Sequence, residues 1–186
     1  MEIGTDRQRF EGSLALEEPD RLLVEIAGPV GGVRAVMAVS PAHLRVLLPA
    51  TRQFIDEQPG PATYEFLLGL PLDTAGLIEL IRFGLDPACA VDPCTKTLPL
   101  ASDPRGNPRS LQVLRQQAQL TASLAGDDLA GGERTGPTRL ELRFTQSTSS
   151  PPGTIEPDLF DPKIPDGFTR LRPGASSGPA TLLLPR

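Results

Sequence analysis

The chain has 186 residues, a net charge of −5 and only two cysteines. That length suits one domain with a sizeable core. The acidic balance, with no basic stripe and no interleaved aromatics, argues against nucleic acid as a partner, and no apolar run reaches the ~20 residues of a membrane-spanning helix. Aromatic residues make up 4% of the chain, so the core is expected to be Leu, Val, Ile and Ala. With 21 Pro and 18 Gly, loops should be many and stiff.

The first third reads as strands. Phe10, Gly12, Leu14 and Leu16 alternate with Glu11, Ser13, Ala15 and Glu17. Leu22, Val24 and Ile26 form a second such face, Val33, Ala35, Met37 and Val39 a third, and Leu44, Val46 and Leu48 a fourth. Thr51 to Asp56 is a fifth, less regular run. Alternation with period 2 and short turns predicts an antiparallel meander. The turn Gly28-Pro29-Val30-Gly31-Gly32 carries an aliphatic residue, Val30, at its middle. The other face of these strands is not fully polar, because Leu23, Ala27, Val36, Ala38 and Leu47 stand among its charges. A sheet with one face in water alternates more cleanly, so both faces are expected to be partly covered.

Helices follow. Pro61 to Leu70 is a short one, opened by its proline. Asp73 is placed to cap a second, Thr74 to Phe83, with an apolar stripe of Leu77, Leu80 and Ile81. Gly84 is placed to end it in a left-handed cap. Residues 86 to 108 carry Pro87, Pro93, Pro99, Pro104 and Pro108 and read as loop. Within them, Cys89 and Cys94 admit two readings: a small disulfide loop suited to an oxidising compartment, or two free thiols. Leu111 to Leu124 reads as one helix by its Gln and Ala content, or as two strands sharing the alternation at Gln119, Thr121 and Ser123; the alternation of Leu120, Ala122 and Leu124 favours strand in the second half. After the Gly-rich turn from Asp127 to Gly136, Thr138 to Thr145 is a strand with Leu140, Leu142 and Phe144 on one face. From Ser147 the chain is rich in Pro, Gly and Ser. Its anchors Ile155, Leu159, Phe160, Ile164 and Phe168 predict a segment running over the surface of the domain.

Catalytic patterns are sparse. A Ser-His-Asp triad would need His43, the single histidine, which reads as a solvated strand residue beside Arg45. The pairs Asp56-Glu57 and Asp127-Asp128 read as charged turn residues. The GGVR and AGGERTG segments lack the GxxxxGK[ST] pattern of a phosphate loop. No metal site is expected, since one histidine lies far from the two cysteines. Apolar surface is what the chain has to work with, which favours a binder of hydrophobic groups over an enzyme.

The order of these pieces resembles the LolA–LolB superfamily of bacterial lipoprotein carriers, closest to LolB and LolB-like lipoproteins. The resemblance is carried by PDRLLVEIAGPVGG (19–32), GPATYEFLLGLPLDTAGLIELIRFG (60–84), TRLELRF (138–144) and LFDPKIPDGFTRL (159–171). Residues 86 to 136 do not align with the family. It implies an α+β, mainly β fold: a curved antiparallel sheet forming an incomplete barrel, with short helices covering the concave face. The expected organisation is a single LolB-like domain over 1–186, lacking its N-terminal signal, lipidated Cys and first strand. Residues 147–186 would be a Pro/Gly-rich C-terminal segment packed on that domain.

The implied function is that of a non-enzymatic envelope lipoprotein on the periplasmic side of the outer membrane. It would bind lipoprotein acyl chains or other lipid, with no cofactor and no metal. A periplasmic carrier protein and the outer membrane surface are the implied partners. Cavity candidates are Leu22, Val24, Ile26, Val33, Met37, Leu44 and Val46 from the strands, with Phe66, Leu77, Leu80 and Ile81 from the helices. Plain core packing is the competing reading for most of them. Val30 matches the family's protruding loop residue and is smaller than its usual Leu or Phe; a turn residue folded back on the sheet is the other reading. The alternative function is a structural or interaction module of the bacterial envelope with no lipid cavity, binding a partner through a sheet edge and the Pro-rich tail.

Overall fold

The computed structural model describes residues 11–17, 19–28, 32–68, 70–89, 93–100, 102, 108–117, 119–125, 139–143 and 154–172. In chain order the elements are β1 (Gly12–Glu17), β2 (Arg21–Ala27), β3 (Val33–Val39), β4 (Leu44–Leu48), β5 (Gln53–Glu57), α1 (Pro61–Leu68), α2 (Thr74–Leu85), β6 (Cys94–Leu100), β7 (Arg109–Gln116), β8 (Gln119–Ala125), β9 (Arg139–Arg143) and β10 (Thr169–Arg170). Short 3-10 turns lie at Pro87–Cys89 and Pro157–Phe160. The protein is mainly β, with two sheets rich in antiparallel pairs. It divides into two compact units, residues 1–58 with 155–176, and residues 59–154 with 177–186. Phe10, the 127–136 turn, Phe144 and residues 147–153 and 173–186 lie outside the described residues.

The first unit holds a sheet in the order β1-β2-β3-β4-β5-β10. Five strands form the expected meander, and their register lines up one apolar row as Leu14, Val24, Met37, Val46 and Ile55. On this face Leu22, Ala35, Val39, Leu44, Val46, Leu48 and Ile55 are buried. The pairing slips between Ile26 and Ala27: Ile26 faces Ala35, and Ala27 faces Val33. Arg34 is thereby the extra residue of a β-bulge. The alternation therefore does not carry through to Val33. It shares Ala27's face, opposite to that of Ile26 and Ala35, and is 46% exposed.

The second face of this sheet holds Leu23, Val36, Ala38, Arg45 and Leu47. Ala38 and Leu47 are buried, so this face too is covered. The cover comes from the far end of the chain. Arg45 Nη1 donates to Asp161 Oδ1 at 2.5 Å and to the Pro162 carbonyl at 2.8 Å, while Nη2 donates to Asp56 Oδ2 at 3.2 Å. The 3-10 turn Pro157–Phe160 packs on β2 and β3, with Phe160 buried. Beyond it β10 adds in parallel to β5: Thr169 N–H donates to the Arg52 carbonyl at 2.9 Å and Leu171 N–H to that of Phe54 at 2.7 Å. Residues 155–172 thus belong to the same unit as the N-terminal strands.

The second unit holds α1, α2 and a four-stranded antiparallel sheet in the order β6-β7-β8-β9. Leu98, Leu111, Val113, Arg115, Leu120 and Ala122 are buried on one face of that sheet, and α2 packs on β6 and β7. Thr95, Thr97, Gln112, Gln116 and Gln119 on the other face are exposed. Leu114 stands among them, 38% exposed, so this is a sheet with one mostly polar, wet face. Asp73 caps α2 as expected, its Oδ1 accepting from Gly76 N–H at 2.7 Å.

Two expectations are corrected here, and one open reading is decided. Residues 94–100 form a strand, not loop; β6 is an edge strand, where a proline such as Pro99 is tolerated because no ladder donor is lost. Of the two readings of Leu111 to Leu124, the structure has the two strands, which run within residues 109–125 and turn at Gln117, whose φ is +53°. Gly84 does not terminate α2: the helix runs to Leu85 and ends at Asp86 in extended backbone. The physical reason lies across the unit, where Arg115 Nη1 donates to the carbonyl of Phe83 at 3.2 Å and to that of Asp86. A cation that satisfies the last carbonyls of a helix replaces a glycine cap. The cysteines form a disulfide, Cys89–Cys94, with Cα atoms 5.5 Å apart, and Cys94 pairs across the sheet with Arg115.

Candidate functional site

A surface concavity in the first unit is an open groove of about 360 Å³ at the hairpin end of β1, β2 and β3. Gly12, Ser13, Glu25, Ile26, Ala27, Gly32 and Val33 line it. Register explains why these side chains meet. Ser13 faces Glu25, and the bulge at Arg34 brings Val33 to Ala27, so Ser13, Glu25, Ala27 and Val33 share one face. Without the extra residue, Val33 would follow Ala35 onto the opposite face. Ser13 Oγ donates to Glu25 Oε2 at 3.4 Å. The neck of the hairpin is fastened by Gly28 N–H to the Gly32 carbonyl at 3.0 Å and by Ala27 N–H to the Glu11 carbonyl at 2.8 Å. Gly32 has φ +79°, a backbone region that favours glycine. At Gly12 a side chain would collide with the Glu25 carbonyl, so β1 can approach β2 this closely only as glycine.

The residues expected to line a cavity fall into three groups. Leu22, Leu44, Val46, Leu77, Leu80 and Ile81 are packed away, each at most 4% exposed. Val24, Ile26, Met37 and Phe66 are half-buried. Val33 alone of these candidates is exposed, and with Ile26 it borders the groove. Val30 lies outside the described residues. The alternation pattern identified the packed face and missed Ser13, Glu25 and Ala27, because the groove occupies the other face. The available signal was the glycine pair Gly31-Gly32 followed by Val33-Arg34, where a bulge fits.

Polar groups elsewhere hold structure together. His43 Nδ1 lies 3.2 Å from Asp56 Oδ1, on an exposed imidazole. The Ser40 hydroxyl is bonded to the backbone of His43. Arg170 Nη2 donates to the Asp56 carbonyl and to Glu57 Oε1 at 3.2 Å, extending the hub around Arg45. In the second unit Lys96 Nζ lies 2.6 Å from Glu79 Oε1 and above the Phe83 ring. The buried Tyr64 hydroxyl lies 3.0 Å from Thr74 Oγ1. Burial holds this phenol above the ordinary tyrosine range, the Thr74 bond pulls it the other way, and the Asp73 carboxylate adds to the rise. Among the described residues no three His, Cys, Asp or Glu side chains gather into a metal-binding group, and no helix is long and apolar enough to cross a membrane.

Comparison with known proteins yields no matching family model, no matching curated protein and no matching solved structure.

Proposed function

We propose that the protein is a non-catalytic binder of an apolar group, an acyl chain or the lipid-bearing end of a lipoprotein, at the periplasmic side of the outer membrane. One observation supports this most: an aliphatic side chain, Val33, is turned out of the core beside an open groove that Ala27 also lines. Fully covering a side chain of this kind contributes about 1.5–3 kcal/mol. A bound chain gains that only after the cost of association, so weak binding is expected. The Cys89–Cys94 disulfide fits an oxidising compartment such as the periplasm. The incomplete barrel with a helix-covered concave face belongs to the same proposal, as does delivery through Val30.

The test is fluorescence uptake of an uncharged naphthylamine probe, followed by displacement with a long-chain alcohol. Saturable uptake that the Val33→Ser variant weakens supports the reading. No uptake by the folded protein removes it, and leaves a structural or interaction module of the envelope.

A further inference from the structure

We infer that the groove selects the headgroup of its ligand, taking an alkyl chain that carries an ammonium group in preference to one that carries a carboxylate; this rests on the apolar-binder reading above. The groove is not uniformly greasy. Its apolar border, Ala27 and Val33, stands on the same face as the carboxylate of Glu25, on the same stretch of β2 and β3. Glu25 is half-buried. Among the described residues its one side-chain partner is the Ser13 hydroxyl, at 3.4 Å, long for an O–H···O bond. A carboxylate has about four acceptor positions, of which the Ser13 hydroxyl takes one. Glu11, whose carbonyl is bonded to Ala27 N–H, adds a second acidic residue at the same end of the sheet. Charge complementarity then fixes the occupant. A primary ammonium brings donors and a positive charge to Glu25, and a quaternary one the charge alone, while the alkyl chain covers Val33. A free fatty acid would bring like charge against Glu25 and lose affinity for it.

The experiment compares three ligands of equal chain length, dodecyltrimethylammonium, dodecanol and dodecanoate, as displacers of the uncharged probe below their micellar concentrations. The wild-type protein is expected to bind the ammonium about fivefold or more tighter than the carboxylate at low salt. That ratio should narrow as salt is raised. Glu25→Gln keeps the shape and the Ser13 bond, and should bring the ratio close to one with dodecanol affinity unchanged. Glu79→Gln removes the same charge from the second unit and should leave the ratio as it was, which separates the groove from the protein's overall acidity. Equal affinities for the three ligands in wild-type protein, or a ratio that survives Glu25→Gln, overturns the headgroup selection while the apolar-binder reading stands. Failure of all three ligands, dodecanol included, overturns both.

Discussion

The two sheets solve the same problem differently. In the second unit, one face of β6–β9 is aliphatic and the other carries exposed Thr95, Thr97, Gln112, Gln116 and Gln119. In the first unit, both faces are aliphatic in part, and the chain returns after about a hundred residues to lay 155–172 over the second one. The strength of the polar alternation along a strand therefore reports how many of its faces are covered. The strands β2 to β4 read Leu23, Val36, Ala38 and Leu47 on their second face because a cover is waiting for them elsewhere in the sequence.

The largest expected effect tests that contrast directly. Leu47→Asp puts a charge on the covered second face of the first sheet, between its cross-strand neighbours Val36 and Phe54, and should cost about 3–5 kcal/mol. Thr97→Asp on the open face of the second sheet should stay within about 0.5 kcal/mol. Urea unfolding of both variants measures the difference, and equal costs would break the comparison. Next comes the disulfide, which braces only the second unit. Its short loop predicts a loss of about 2 kcal/mol for the Cys89→Ser, Cys94→Ser double variant, and hydrogen exchange should show that loss in α2 and β6–β9 and not in β1–β5.

A third test uses Tyr64, buried in the second unit. Tyr64→Phe gives up the bond to Thr74 and should cost about 1 kcal/mol at neutral pH. The phenol binds its proton more tightly folded than unfolded. Its contribution is thus complete at neutral pH and is lost as pH rises past the ordinary tyrosine value, near 10, towards the higher folded one. Alkaline unfolding of the Phe variant should be correspondingly less steep. The smallest effect belongs to the first unit: Asp161→Asn weakens an exposed partner of Arg45 and should cost under about 1 kcal/mol. The Pro162 carbonyl and the β10 pairing still hold the segment, so limited proteolysis should be little changed; rapid cleavage near 160 would assign Asp161 a larger share.

Much of this architecture was legible in the sequence. Strands β1 to β5 announced themselves through period-2 alternation, and α2 through Asp73 and its Leu77, Leu80 and Ile81 stripe. What stayed hidden depended on partners far away in the chain. Pro99 made β6 look like loop, and only its place at a sheet edge makes a proline acceptable there. Gly84 looked like a helix terminator, but the last carbonyls of α2 are satisfied by Arg115, some thirty positions on. Gln117 turns β7 into β8 with a left-handed backbone that glycine or asparagine usually signals. The groove was hidden for a similar reason. Hydrophobic alternation assumes an unbroken register, and a single extra residue, Arg34, moved Val33 to the face where Ser13 and Glu25 stand.

The return of residues 155–172 to the first sheet also sets an order of events during synthesis. Residue 58 leaves the ribosome well before residue 155, an interval of about 5–20 s at ordinary elongation rates. Through that interval β2, β3 and β4 present Leu23, Val36, Ala38 and Leu47 without their eventual cover, while the described strands and helices of the second unit are being made. The second unit, contiguous across 59–154, has its described strands and helices complete first. The nascent chain therefore carries its most aggregation-prone surface at the front and its remedy at the back, and anything that stalls translation between the two should fall hardest on the N-terminal strands.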